Sequence, residues 1–358
     1  MIGVLGGGQL GRMLALAGLP LGQRFCFLDP AEDAPAGEVG QLIVADYDDE
    51  KALDRLAELC DVVTYEFENV PATAAARLQG RVPLFPPPIA LETAQDRLKE
   101  KELFRTVGLE TPAFAPVDSA EDLTAALDNL GLPVVLKTRG GGYDGKGQVV
   151  IHDAADAPAA LESLGGTHLI VEKLIDFDRE LSVIAVAGTD GRIACYPLVE
   201  NHHRDGILRL SLAPAPGLDD ELQGAAQAYA AEIASLLGYK GVFAIEMFED
   251  GSRLIGNELA PRVHNSGHWT IEGAETSQFE NHLRAGLDLP LGSTEPVGFS
   301  AMVNLIGALP DPQRVAGVVG AHLHLYDKEP RPGRKLGHIT LRCSDPMDLS
   351  DRLEQLAT

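Results

Sequence analysis

Positive charge is the first thing this chain is short of. Its 358 residues carry 53 aspartates and glutamates against 29 lysines and arginines, a formal net charge of −24. Such an acidic surface excludes broad binding to nucleic acid or anionic membrane, both of which need a basic face. Small anions stay possible, because a few local cations or a helix N-terminus decide those contacts. Cysteine is scarce too. Cys26, Cys60, Cys195 and Cys343 are far apart and form no CxxC pair. That spacing excludes a disulfide scaffold or thiolate zinc site and predicts reduced thiols in an intracellular, cytoplasmic protein. The opening MIGVLGGGQL lacks the basic and long apolar regions of a signal peptide. No stretch approaches the length of a membrane-spanning helix. Internal repeats are missing, and the one low-complexity tract is Pro86-Pro87-Pro88.

What is present is an ordinary enzyme composition, 45% hydrophobic and 23% charged, in a chain long enough for two or three domains. Residues 1–85 alternate apolar runs (IGVL, RFCFLD, LIVA, DVVTY) with helical patterns (LGRMLALAG, EKALDRLAELC and one opening at Pro71). That alternation predicts a parallel sheet flanked by helices. After the prolines the pattern predicts one charged helix through LETAQDRLKEKELFRTVG. From about Val134 strands dominate (PVVLKT, GQVVI, HLIVEKLI, RELSVIAVAG, RIACYPLVE), with helices near SAEDLTAALDNLG and DAPAALESLG. A small α+β lid suits that stretch. The remainder holds a long helix, DDELQGAAQAYAAEIASLLG, and a hairpin, GVFAIEMFEDGSRLIGNELAP. The expected units are an N-terminal Rossmann-like domain over 1–95, a lid with its linker helix over 96–185, and a larger C-terminal α+β domain over 186–358.

Two glycine-rich stretches point to chemistry. Gly6-Gly7-Gly8-Gln9-Leu10-Gly11 follows a strand, opens a helix and fits GxGxxG, with Asp29 18 residues beyond. In outline this is the dinucleotide-binding fingerprint, and alone it supports an NAD-dependent oxidoreductase. Its physics is broader, since glycines before a helix free N–H groups for any phosphate. A purely structural tight turn reads the same way. The second stretch, TRGGGYDGKGQ from Thr138 to Gln148, lies between two predicted strands, with Lys137 ending the first. A hairpin like this can fold over a polyphosphate, donating N–H groups while Lys137 and Lys146 add point charge. An exposed hairpin of turn residues is the plainer alternative.

Carboxylates in apolar company form the next signal. Glu246 interrupts GVFAIEMF, and Asn257-Glu258 follow across the turn at Asp250-Gly251. Carboxylates inside adjacent strands are costly unless paired or bound to a cation. Hard oxygens of this kind suit Mg²⁺ on nucleotide phosphates, with a structural salt bridge as the rival reading. A three-residue turn would put both on one face and a two-residue turn would not, so the register stays open. Glu172, in VEKLI, sits where a strand passes into a loop and could accept from a ribose or an exocyclic amine. Glu180 enters an otherwise apolar strand, as a ligand or an edge charge. Lys328, Arg331, Arg334 and Lys335 place four cations within eight residues, either a solvated turn or a phosphate site.

In order and spacing, Lys137, GGGYDGKGQ, VEKLI, Glu180, Glu246 and Asn257-Glu258 resemble the ATP-grasp superfamily. Within it, GGGQLGRM, YPLVENHHRDGILR, NELAPRVHNSGHWT and YDKEPRPGRKLGH are similar to the N5-carboxyaminoimidazole ribonucleotide synthetase family, over nearly the whole chain. The resemblance implies an ATP-grasp fold (α/β and α+β) with an N-terminal pre-ATP-grasp domain. It implies a cytoplasmic, homodimeric carbon–nitrogen ligase of purine biosynthesis that uses ATP and Mg²⁺. Its substrates would be bicarbonate and 5-aminoimidazole ribonucleotide, joined through carboxyphosphate. By the same resemblance Arg97, Lys137 and the run Gly142, Tyr143, Asp144, Gly145, Lys146, Gly147 and Gln148 hold the ATP phosphates. Glu172, Lys173, Leu174 and Ile175 hold adenine, and Glu180 and His203 the nucleoside, with His202 an open alternative to His203. Glu246 and Glu258 carry magnesium beside Asn257, while Arg262, His264, Asn265 and Lys335 orient bicarbonate and the intermediate. Gly8, Gln9, Leu10, Arg12, Glu66, Lys328, Arg331, Arg334 and Lys335 receive the ribonucleotide. The competing functions are a formate-using glycinamide ribonucleotide transformylase of the same fold, the NAD-dependent oxidoreductase, and a non-catalytic nucleotide sensor.

Overall fold

The computed structural model describes residues 1–142 and 146–357; Tyr143, Asp144 and Gly145 of the second glycine stretch lie outside the described residues. Four strands form the expected parallel sheet, in the order Gln41–Val44, Phe25–Asp29, Ile2–Leu5 and Val62–Tyr65. The last three are buried along nearly their whole length, which is why they read as continuous apolar runs and not as alternation. Ligands of such sheets gather at the carboxyl ends of the strands, and the first glycine loop and Glu66 emerge there.

The linker expected as one helix is two, Pro88–Ala94 and Arg97–Thr106. Asp96 makes the break. Its carboxylate caps the second helix by accepting from Leu98 N–H at 3.0 Å and pairs with Arg139 of the lid. Phe104 and Leu109 then enter the core of the large C-terminal sheet, so this helix belongs to the body and not to the lid.

The lid is a four-stranded antiparallel sheet, ordered Phe114–Val117, Leu169–Lys173, Val134–Thr138 and Gln148–Ile151. Helices Ala120–Leu130 and Ala157–Ser163 cover it around Val117, Leu136 and Val171. The body is a nine-stranded antiparallel sheet. Its path runs Arg253–Ala260, Gly241–Asp250, Arg179–Ala187, Val199–Arg204, Ile207–Ala213, Phe299–Ile306, Lys335–Cys343 and Ala321–Leu325, with Ile193–Cys195 paired beside Arg179–Ala187. The boundary expected near 185 therefore falls inside a central strand, because RELSVIAVAG offers no break; the chain passes from lid to body over 174–178.

The parallel sheet is fastened to the body. Helix Gln9–Gly18 packs against helix Gln278–Gly286 in a shared core. From the second helix, buried His282 lies 2.8 Å from Thr64 Oγ1 through Nε2 and accepts from Val242 N–H at 3.0 Å through Nδ1. Burial pushes the ring's pKa down to about 3, so this seam depends on a neutral imidazole. No helix among the described residues is long and apolar enough to cross a membrane.

Candidate active site

Side chains on paired strands share a face with the residues directly opposite them. Glu246 is opposite both Ser182 and Glu258, Glu180 is opposite Phe248 and Asn201, and Asn201 is opposite Ser211. One face of the body sheet thus collects Glu180, Glu246 and Glu258. The turn holds only two residues, since Asp250 pairs with Arg253, and a regular ladder would put Glu246 and Glu258 on opposite faces. A one-residue bulge at Asn257 shifts the register and brings them face to face.

Burial, and next the charge of Glu258, push the Glu246 carboxyl up to about 7. Arg97 Nη1 donates to Glu258 Oε2 at 3.2 Å. Two facing hard-oxygen donors with charge left to neutralise fit Mg²⁺, which takes few protein ligands and completes its shell with phosphate oxygens and water. No three His, Cys, Asp or Glu residues gather as a metal cluster among the described residues.

On the lid side, Lys137 Nζ lies 3.1 Å and Lys101 Nζ 3.4 Å from Glu172 Oε2. Lys101, fully buried and not foreseen, also donates to the carbonyl of the bulge residue Asn257 at 2.8 Å. Burial would raise the Glu172 pKa, but the two lysines outweigh it and hold the carboxyl ionised below its usual range. At 2% exposure this side chain orients Lys137 through Oε2, while its Oε1 is buried with no partner among the described residues. Lys173 donates to the carbonyls of Gly131 and Leu132 at 3.2 and 3.0 Å, so residues 172–175 offer a base mainly backbone. The glycine hairpin closes through Thr138 N–H to Gly147 O at 2.9 Å. Gly142 lies so near Arg97 that a Cβ there would come 3.4 Å from its Nη2. Gln148 pairs with Lys137 at the base of the hairpin, and Lys146 is exposed on its returning arm.

The two histidines of the doublet face opposite ways by strand parity. His203 shares the site face with Asn201, and its Nδ1 lies 2.6 Å from Glu180 Oε2. His202 points the other way, half exposed, 2.9 Å from Glu200. Burial alone would lower the His203 pKa; Glu180 more than offsets it and raises it. Phe248, on the same face, stacks on Phe177 at 4.5 Å and adds an aromatic wall that sequence reasoning missed.

Arg262, His264 and Asn265 follow the carboxylate hairpin directly. Arg262 is ion-paired with Glu68, which crosses from the parallel-sheet unit. Gln278 clamps the His264 backbone, accepting from its N–H at 2.9 Å and donating to its carbonyl at 2.7 Å. Burial, with the charges of Arg262, Lys335 and His203, pushes the His264 pKa well below the ordinary histidine value, so the ring is neutral. Its Nε2 lies 3.4 Å from Glu246 Oε1. Asn265 Oδ1 is buried with no partner among the described residues, an acceptor held ready for a donor.

The N-terminal loop differs from its fingerprint. Glu66 accepts from Gly8 N–H and Gly11 N–H, both at 2.5 Å, and Asp29 accepts from Gly7 N–H at 2.7 Å. The donors that a dinucleotide pyrophosphate would take are already filled by the protein, and Asp29 also receives Tyr47 OH at 2.9 Å. The NAD reading fails on this geometry. Glu66 is 7% exposed, so only spare lone pairs remain for a substrate. Beside the loop, Lys328 donates to Gln9 Oε1, and Arg12, Lys328 and Arg334 line a cleft of about 420 Å³. Leu10 faces inward to the core, while Arg331 is exposed and outside the cleft wall. Burial lowers the Lys328 pKa; Glu66 opposes this, and Arg334, Arg331 and Lys335 add to it. Lys335 also acts electrostatically on Lys328 at the cleft and on His203 and His264 at the sheet-face site.

The chain matches the ribonucleotide synthetase preATP-grasp domain over residues 1–95, the ATP-grasp domain over 102–279, and the phosphoribosylaminoimidazole carboxylase C-terminal domain over 300–352. It is 52% identical to N5-carboxyaminoimidazole ribonucleotide synthase of Pseudomonas aeruginosa over 355 residues, 99% of this chain and 98% of that protein. The crystal structure of the corresponding synthetase from Thermus thermophilus is similar at a TM-score of 0.97 and 59% identity, covering 100% of this chain and 98% of that one. The Aspergillus clavatus enzyme, solved with ADP and 5-aminoimidazole ribonucleotide, superposes at a TM-score of 0.92 with 34% identity, covering 99% and 97% of the two chains.

Proposed function

The chain belongs to the N5-carboxyaminoimidazole ribonucleotide synthase family, and from that premise we propose how its own residues divide the work. The activity is ATP-dependent carboxylation of 5-aminoimidazole ribonucleotide in purine biosynthesis. Lys137, oriented by Glu172, and Arg97 hold the ATP phosphates under the glycine hairpin. Residues 172–175 and the Phe248 face hold the base, and Glu180 with His203 hold the nucleoside. Glu246 and Glu258 hold Mg²⁺, which when bound neutralises charge on the transferring phosphoryl group.

Bicarbonate is the carbon source in this reading. One of its oxygens attacks the γ-phosphorus and the bond to ADP breaks, leaving carboxyphosphate. The amine of the ribonucleotide then attacks the carbonyl carbon, and phosphate leaves as the nitrogen gives up one proton. Neutral His264, Arg262 and Lys335 surround the anionic oxygens, where fixed donors and cations act on developing charge, and Asn265 Oδ1 accepts from the bicarbonate hydroxyl. The ribonucleotide phosphate sits against Arg12, Lys328 and Arg334, with Arg331 at the rim, and its ring approaches Gly8 and Gln9. A homodimer in the cytoplasm completes the proposal.

The observation that carries it is the bulge at Asn257, which sets Glu246 against both Glu258 and His264. The test is ADP release with bicarbonate, with and without 5-aminoimidazole ribonucleotide. Release that needs both substrates supports the reading; release driven by formate and glycinamide ribonucleotide overturns it.

A further inference from the structure

A line of buried polar groups runs beneath the bicarbonate side of the site. Ser211 Oγ donates to Asn201 Oδ1 at 2.8 Å, and Asn201 Nδ2 donates to Ser182 Oγ at 2.9 Å. Ser182 Oγ lies 2.7 Å from Ser266 Oγ, which lies 2.8 Å from His264 Nδ1. All three serines are 0% exposed and Asn201 is 5% exposed. Burying four polar side chains in a row is costly unless every one is paired, and paired they specify one arrangement.

One fixed donor sets the direction of every bond. Ser266 N–H points at His264 Nδ1 at 3.3 Å, and a backbone N–H cannot accept, so Nδ1 carries a lone pair. The proton between Ser266 and His264 is then the serine's, and Ser266 Oγ must accept from Ser182. Ser182, having given its proton, accepts from the Asn201 amide, whose oxygen takes the proton of Ser211. With the lone pair on Nδ1, the ring's one N–H proton is on Nε2, facing Glu246.

We propose that Ser182, Asn201 and Ser211 are positioning residues that lock His264 as its Nε2–H tautomer, presenting a donor to the anionic oxygens of bicarbonate and carboxyphosphate. The proposal rests on the reading of His264 as a bicarbonate-side residue. An Nε2 lone pair aimed at the same place would repel those oxygens.

Long-range ¹H–¹⁵N correlation spectra of the resting protein, labelled with ¹⁵N-histidine, read the tautomer without turnover, and His264→Asn assigns the ring. A pyrrole-type Nε2 with a pyridine-type Nδ1 is expected; the reverse overturns the lock. Ser182→Ala should mix the tautomers and lower kcat about 10-fold at unchanged KM for ATP, and Ser182→Thr should restore both. Asn201→Asp offers only acceptors to Ser182, so it should reverse the line and shift His264 toward Nδ1–H. A tautomer unmoved in both Ser182→Ala and Asn201→Asp overturns the proposal. Should both variants fail to fold, the wild-type spectrum still decides. The expected tautomer in a protein without bicarbonate-dependent ADP release would support the lock and refute the functional reading on which its use depends.

Discussion

The two glycine loops look alike in sequence and do opposite things in the fold. The N-terminal one has its N–H groups occupied by Glu66 and Asp29, and a Cβ added at Gly8 would meet Glu66 Oε1 at 2.5 Å. In the lid loop Gly141 instead stands in open space at φ +74, with nothing within 4 Å of an added Cβ, although Gly140, Gly142 and Gly147 are closely approached by the hairpin and by Gln95. One loop is filled by the protein's own carboxylates, and the other reaches, at Gly142, the Arg97 that pairs with Glu258. A glycine motif therefore states only that backbone can be approached closely. A residue 55 positions away from Gly11 decides what does the approaching.

The sharpest way to break this contrast is to remove the charge under the lid loop. Lys137→Ala should lower kcat/KM for ATP by about 10² to 10³-fold, the scale for losing one group aimed at developing charge. Thermal unfolding should change little, because Lys137 is itself destabilised by burial and its partner Glu172 keeps Lys101. A variant with near-wild-type kinetics would take Lys137 out of the nucleotide site.

Glu66→Ala tests the other loop and should give the opposite signature. It strands the N–H groups of Gly8 and Gly11 without a buried acceptor, at about 1–3 kcal/mol for each unsatisfied group. The midpoint of urea unfolding should fall, the KM for ATP should hold, and the KM for the ribonucleotide should rise. A change in ATP affinity alone would mean that the loops are not independent.

How far the sequence could see follows from the same contrast. The parallel sheet, the lid hairpin and the acidic hairpin were legible because each is a local pattern of period, glycine or interrupted apolar run. The bulge at Asn257 was not, since nothing in GNELAP marks which residue is skipped in pairing. Ser182, Asn201 and Ser211 carry no local signal; that all three sit at inward positions is visible only once three strands are in register. His203 could be separated from His202 only by knowing that Asn201 lies opposite Glu180. The split of the linker helix at Asp96 was readable in principle from its N-cap chemistry, and the long charged period hid it.

The seam that carries the filled loop against the body should be sensitive to acid. His282 has a folded pKa of about 3 against about 6.5 in an unfolded chain, so the unfolded state binds the extra proton between those values. Stability is full above about 6.5 and declines as pH falls through that window, by about 2 kcal/mol at pH 5 from this residue. Urea unfolding between pH 7.5 and 5 should show the decline, and His282→Gln should flatten part of it. An equal slope in the variant would assign the decline to other buried histidines, such as His338.

The smallest effect is also the finest test of the contrast. Gly141→Ala adds a methyl where space is open, so the only cost is the left-handed backbone, about 1–2 kcal/mol for a residue with a Cβ. Because the strain is confined to an exposed hairpin, global unfolding should barely move. The penalty should fall instead on whichever loop geometry grips the nucleotide, as a few-fold rise in KM for ATP and more ADP formed per carboxylated product. Gly8→Ala should instead lower stability with the ADP-to-product ratio and the KM for ATP unchanged, since its methyl collides with the buried Glu66 carboxylate, away from the nucleotide. If both variants lost stability and neither changed the ratio of ADP to product, the lid loop would be no more open to a ligand than the N-terminal one, and the distinction between them would be lost.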